Sequence, residues 1–196
     1  MKDKWYGDNG DLVKWSALLH LADRYGAARV LQIAYYRPSS WGRIKVGDDE
    51  VVIRPEVLAH FKDVRSAGAI RSRAKIAVFD APFIDRDAYL ASVLQFIADS
   101  PKERCVVFLD LDTGLPPGTC KPEHVLESEV GAIWGSLKHG DVLAFYQHQT
   151  NRNGQPWIEP KRQQLARAIG VREDQVSVAS GLKIAGDVVI FFCQRL

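Results

Sequence analysis

The chain has no apolar run near the roughly 20 residues that a membrane helix needs. Cysteine is scarce. Cys105, Cys120 and Cys193 are the three in 196 residues, and no two have C-x-x-C spacing. That argues against both a zinc site and a disulfide framework. An excess of one charge is missing too. The 26 Lys and Arg against 24 Asp and Glu leave a formal +2, so bulk charge makes no case for nucleic acid. A local basic patch such as Arg65, Arg71, Arg73 and Lys75 remains open. The N-terminal stretch MKDKWYGDNGD lacks the apolar core of a signal peptide, so a cytoplasmic location is expected, with no membrane partner. There is no internal repeat and no linker-like composition. One domain over residues 1–196 is expected, with 38–74 as an irregular insertion or lid-like segment. The 46% hydrophobic content suffices for one full core.

What is present centres on Arg104 to Pro117, RCVVFLDLDTGLPP. Cys105 to Leu109 is too short for a helix and wholly apolar, which reads as a strand buried on both faces. It ends in Asp110-Leu111-Asp112-Thr113-Gly114. Carboxylates at alternate positions of an extended chain point to the same side. At the carboxyl end of a central parallel strand they stand where open α/β sheets bind ligands. Asp, Thr and Gly are also ordinary turn formers, so shaping the turn is the competing reading.

Around this strand the pattern alternates. A helix runs from Leu12 to Tyr25, capped by Asp8 or Asp11 and stopped by Gly26. A strand follows over Arg29–Tyr36. Lys45–Ile53 reads as a hairpin turning at Gly47-Asp48-Asp49, and Pro55–Val64 as a short helix. Ile76–Phe79 is a strand ending at Asp80, and Arg86–Ala98 is an amphipathic helix. Beyond the central strand come a helix over Glu123–Leu137, a strand over Val142–Tyr146 and a helix over Pro160–Ile169. Strands at Gln175–Ala179 and Val188–Cys193 close the chain with no helix between them. The expected fold is α/β: a doubly wound, mostly parallel Rossmann-like sheet with helices on both faces and an antiparallel C-terminal edge hairpin.

Strand ends of such a sheet share one rim. That rim collects Tyr35, Tyr36 and Arg37, then Asp80, then Asp110 and Asp112, then Gln147 and His148. Lys14, one turn into the first helix, is a candidate anion binder, although a lysine there also suits a solvated face. Arg152 in the TNRNG loop would overhang the rim. Trp41, with Trp5 and Trp157, lies in a loop, where tryptophan caps a ligand or covers the edge of the core.

The order of elements from about residue 75 onward resembles the class I AdoMet-dependent methyltransferases, with the last two strands similar to that family's terminal hairpin. Asp110-Leu111-Asp112-Thr113 then stands in the place of the D-P-P-Y type motif of amine methyltransferases. Gly7-Asp8-Asn9-Gly10-Asp11-Leu12-Val13-Lys14 is similar to the segment before the cofactor loop in a ribosomal RNA adenine methyltransferase family. The whole chain also resembles an uncharacterised bacterial family with G-D-x-x-D, D-P-D-[NT]-G and Y-Q-H motifs, here Gly7 to Asp11, Asp110 to Gly114 and Tyr146-Gln147-His148. Two departures stand out. Position 111 is Leu where the methyltransferase motif has Pro. The exit of the first strand, Tyr35 to Gly42, has one late glycine where the family has a Gly-rich loop, which makes that loop degenerate.

Three readings follow. In a methyltransferase acting on an amine of nucleic acid or of a small molecule, the resemblance implies S-adenosylmethionine as cofactor. Asp110, Asp112 and His148 are then catalytic, with Asp8, Asp11, Lys14, Tyr35, Tyr36 and Asp80 on the cofactor, and Gln147, Arg152 and Trp41 on the substrate. In a phosphoesterase or nuclease, Asp110, Asp112, Asp80 and His148 hold Mg or Mn, and the metal relieves the repulsion among the carboxylates. In a non-catalytic module, the basic 65–75 segment and the loop tryptophans bind a protein or RNA.

Overall fold

A computed structural model describes residues 7–37, 42–149, 151 and 154–196. Trp5, Trp41 and Arg152 lie outside the described residues. A mixed α/β architecture is present. Helix α1 spans Asn9–Tyr25. Asp8 is its N-cap, with its side chain accepting from Asp11 N, and Gly26 closes it in the left-handed conformation. Strand β1 (Arg29–Ile33) follows, then an antiparallel hairpin of β2 (Arg43–Val46) and β3 (Asp49–Val52), then α2 (Pro55–Lys62). The remaining strands and α-helices are β4 (Lys75–Phe79), α3 (Arg86–Ala98), β5 (Cys105–Leu109), α4 (Glu127–Ser136), β6 (Val142–His148), α5 (Ile158–Ile169), β7 (Ser177–Gly181) and β8 (Ala185–Gln194).

The main sheet has the order β4-β1-β5-β6-β8-β7. β4, β1, β5 and β6 are parallel, and β8 runs antiparallel to both of its neighbours. The chain leaves β1 for β4 on one side and returns to β5 on the other. The switch point, where the crevice of an open sheet forms, therefore lies between β1 and β5. All five residues of β5 are buried, as expected of a strand covered on both faces. α3, α4 and α5 pack side by side over one face. α1 lies against β1, β5, β6 and β8, and its Lys14 and the Gln32 side chain of β1 both reach Asp110.

Several boundaries differ from the expectations above, and three of them shape the rim. β1 ends at Ile33, because Tyr35 takes a positive φ of 42° and Tyr36 instead bridges Pro82. β6 extends to His148, since its partner β8 is long enough to keep pairing as far as Val188. α4 starts at Glu127 rather than Glu123, because the preceding residues are tied to the turn after β5. Val125 N donates to Gly114 O (3.2 Å) and Thr113 Oγ1 donates to Glu123 O (2.9 Å). Cys105 and Cys193 are buried in strands as anticipated. Among the described residues no helix is long and apolar enough to cross a membrane.

Candidate functional site

Asp110 follows the last residue of β5 and is 1% exposed. Its Oδ2 accepts from Gln32 Nε2 across the switch point at 2.7 Å, and its Oδ1 lies 2.9 Å from Lys14 Nζ. Lys14 also donates to Asp11 Oδ1 at 2.9 Å, and Asp11 Oδ2 accepts from Gly7 N at 2.6 Å. The start of α1 is thereby tied to the end of β5. The Lys14 ammonium lies 4.5 Å from the centre of the Tyr146 ring. Burial works against its charge, but Asp110 and then Asp11 outweigh that and raise its pKa, so it remains a cation. Burial raises the pKa of Asp11, against the pull of Lys14. Burial likewise raises that of Tyr146.

Beside this buried cluster opens a cleft of about 910 Å³. Asp8, Asn9, Gly10 and Lys14 of the α1 start form one wall, and Leu111, Asp112 and Thr113 another. Tyr146 and His148 come from β6, Ala185, Asp187 and Val188 from β8, and Arg37 and Glu123 from loops. Asp112 forms an ion pair with Arg37. His148 Nε2 lies 2.9 Å from Asp187 Oδ2, and its Nδ1 lies 2.9 Å from the Gln149 carbonyl. Both partners are acceptors, so both contacts are hydrogen bonds only when the ring carries two N–H groups.

The expected residues therefore divide. Asp8, Lys14, Asp112 and His148 line the cleft, and Asp110 and Asp11 stand behind Lys14. Gln147 is fully buried and absent from the cleft wall. Its Oε1 accepts from Leu115 N (2.9 Å) and its Nε2 donates to Thr113 O (2.8 Å) and His148 O (2.8 Å), so it clamps the turn after β5. Tyr35 turns into an aromatic cluster with Phe83 and Tyr89, at centroid distances of 5.2 and 5.0 Å. Tyr36 packs near Ala34 and Val64. Asp80 pairs with Arg65 and does not line the cleft.

Among the described residues no three His, Cys, Asp or Glu side chains come together as a metal site. The three rim carboxylates each face a cation of the chain instead: Asp110 with Lys14, Asp112 with Arg37, Asp80 with Arg65. That relieves the like-charge repulsion which the metal reading invoked.

Tyr146, Glu123 and Asp187 were not singled out as site residues from the sequence. Tyr146 stands two positions before His148, on the same face of the strand, a period-2 signal that was open to reading. Glu123 and Asp187 lie 25 and 39 positions from His148, with no local pattern linking them to it.

No family model matches the chain, and no curated protein matches it. A solved structure of a DUF574 family protein from Streptomyces avermitilis is similar to it at 14% identity, covering 96% of this chain and 82% of that one, with a TM-score of 0.47.

Proposed function

We propose that the cleft is a methyl-transfer site that uses S-adenosylmethionine and acts on an amine. The observation that carries this reading is the charge of the wall. Among the described lining residues four carboxylates, Asp8, Asp112, Glu123 and Asp187, face two fixed cations, Lys14 and Arg37. A wall of net negative charge favours a cationic ligand over a phosphate. When bound, S-adenosylmethionine supplies a methyl group on a positively charged sulfur.

The residues fit the amino-acid end of that molecule. Asp8 suits an ammonium, and Lys14 with the backbone at Asn9 and Gly10 suits a carboxylate. Gly10 leaves the Asp8 carboxylate room, since a Cβ there would stand 2.9 Å from Asp8 Oδ1. Leu111, Ala185 and Val188 give the less polar wall for the remainder. The target amine is left to Glu123 and Asp187 of the same cleft, since Asp110 is enclosed and Asp112 is held by Arg37. The chain's contribution is positioning and exclusion of water.

Calorimetry tests the reading. S-adenosylmethionine and S-adenosylhomocysteine should both give heat and ATP none. Asp8→Asn should weaken S-adenosylmethionine by about tenfold or more with little change in melting temperature, since asparagine also caps a helix. Silence from both adenosyl ligands at millimolar concentration would sink the proposal.

A further inference from the structure

A second cavity, of about 690 Å³, lies beside the first, and the two share Thr113, Glu123, His148 and Asp187. These four residues form a wall between two chambers. Beyond it the second chamber is lined by Pro117, Thr119, Lys121, His124, Gln149 and Asn151, and among the described residues it has no Phe, Tyr or Trp. Nucleobases are held on aromatic faces, and the two imidazoles here are each tied to the chain, His124 Nδ1 by Lys121 N (3.0 Å) and His148 Nε2 by Asp187 Oδ2 (2.9 Å). Hydroxyl and amide groups instead match a ligand rich in hydroxyls. The carboxylates Glu123 and Asp187 stand in the shared wall, so an amine drawn to them is brought to the edge of the first chamber.

Resting on the methyl-transfer reading, we infer that the second chamber holds the acceptor, and that the acceptor is a hydroxylated aliphatic amine of the amino-sugar kind. Such an amine arrives as an ammonium. A wall carboxylate takes one proton, and the freed lone pair forms the new N–C bond. The S–C bond of S-adenosylmethionine breaks with its electron pair left on sulfur, giving neutral S-adenosylhomocysteine and a methylated ammonium. The Asp187–His148 contact holds one of the two wall carboxylates in place.

The test is solution NMR of the full chain with glucosamine, spermidine and adenosine as separate probes. It is run on wild type and on Thr119→Trp, a substitution at an exposed position that fills only the second chamber. Glucosamine should shift the amides of Thr119, Gln149 and Asn151 in wild type, and the variant should lose that response. S-adenosylhomocysteine, followed by calorimetry, should bind both proteins alike. Glucosamine shifts without any S-adenosylhomocysteine binding would uphold the chamber and its ligand class while removing the methyl-transfer reading beneath them. No glucosamine shift at millimolar concentration, or a larger response to adenosine or to the hydroxyl-free spermidine, would overturn the inference.

Discussion

Lys14 Nζ and Asp110 Oδ1 lie 2.9 Å apart with side chains only 6% and 1% exposed, joining the first turns of α1 to the end of β5. A pair this enclosed is costly to break from one side, since the surviving charge keeps its desolvation penalty without its partner. Lys14→Met should lower unfolding stability by roughly 3–5 kcal/mol. The double variant Lys14→Met/Asp110→Asn should recover part of that loss. Urea titrations of the wild type, both single variants and the double variant check this. A double variant no better than Lys14→Met would show that the pair is not the origin of the loss.

Gly114 has a φ of +91°, and a Cβ there would collide with the Gln147 amide, with Cδ at 2.7 Å. Gly114→Ala therefore meets backbone strain and a clash together, and should destabilise by at least the roughly 1–3 kcal/mol of an unfavourable backbone. Adding Gln147→Ala removes the clash but leaves the strain and frees Leu115 N. The two substitutions should thus be non-additive, with a coupling of roughly 0.5–3 kcal/mol in a double-mutant cycle. Strict additivity would mean that the turn does not rest on this contact.

Lys161 is buried, and its ammonium donates to Leu115 O (2.7 Å), Pro116 O (2.6 Å) and Gln164 Oε1 (2.9 Å), pinning the loop that follows the site. Burial lowers its pKa from the ordinary 10.5 to about 8. Between these values the unfolded chain holds a proton that the folded chain has released, so this group's contribution to stability rises with pH across that window. Relative to Lys161→Met, wild type should gain stability from pH 8 towards pH 10.5, by an amount on the order of 3 kcal/mol at most. Parallel urea titrations at several pH values measure the difference. A flat difference would show that the three acceptors hold the proton throughout.

Much of the scaffold was legible as local pattern. The five apolar residues of β5, the periodic face of α3 and the glycine that stops α1 each express a period or a cap within one segment. The absence of a helix between β7 and β8 was likewise enough to expect an antiparallel pair. The sequence also marked the rim, because turn residues and carboxylates follow apolar strands there. Tertiary structure alone decided which rim residues face the cleft. Asp110 and Asp112 differ by two positions, yet one is enclosed by Lys14 and Gln32 and the other meets Arg37 at the cleft wall. β5 ends at Leu109, so strand alternation no longer dictates where Asp112 points. Likewise Arg65 takes Asp80, and Asp187 takes His148, across long separations in the chain. Charges distant in sequence are matched only when the sheet order brings them together, and no local periodicity records that match.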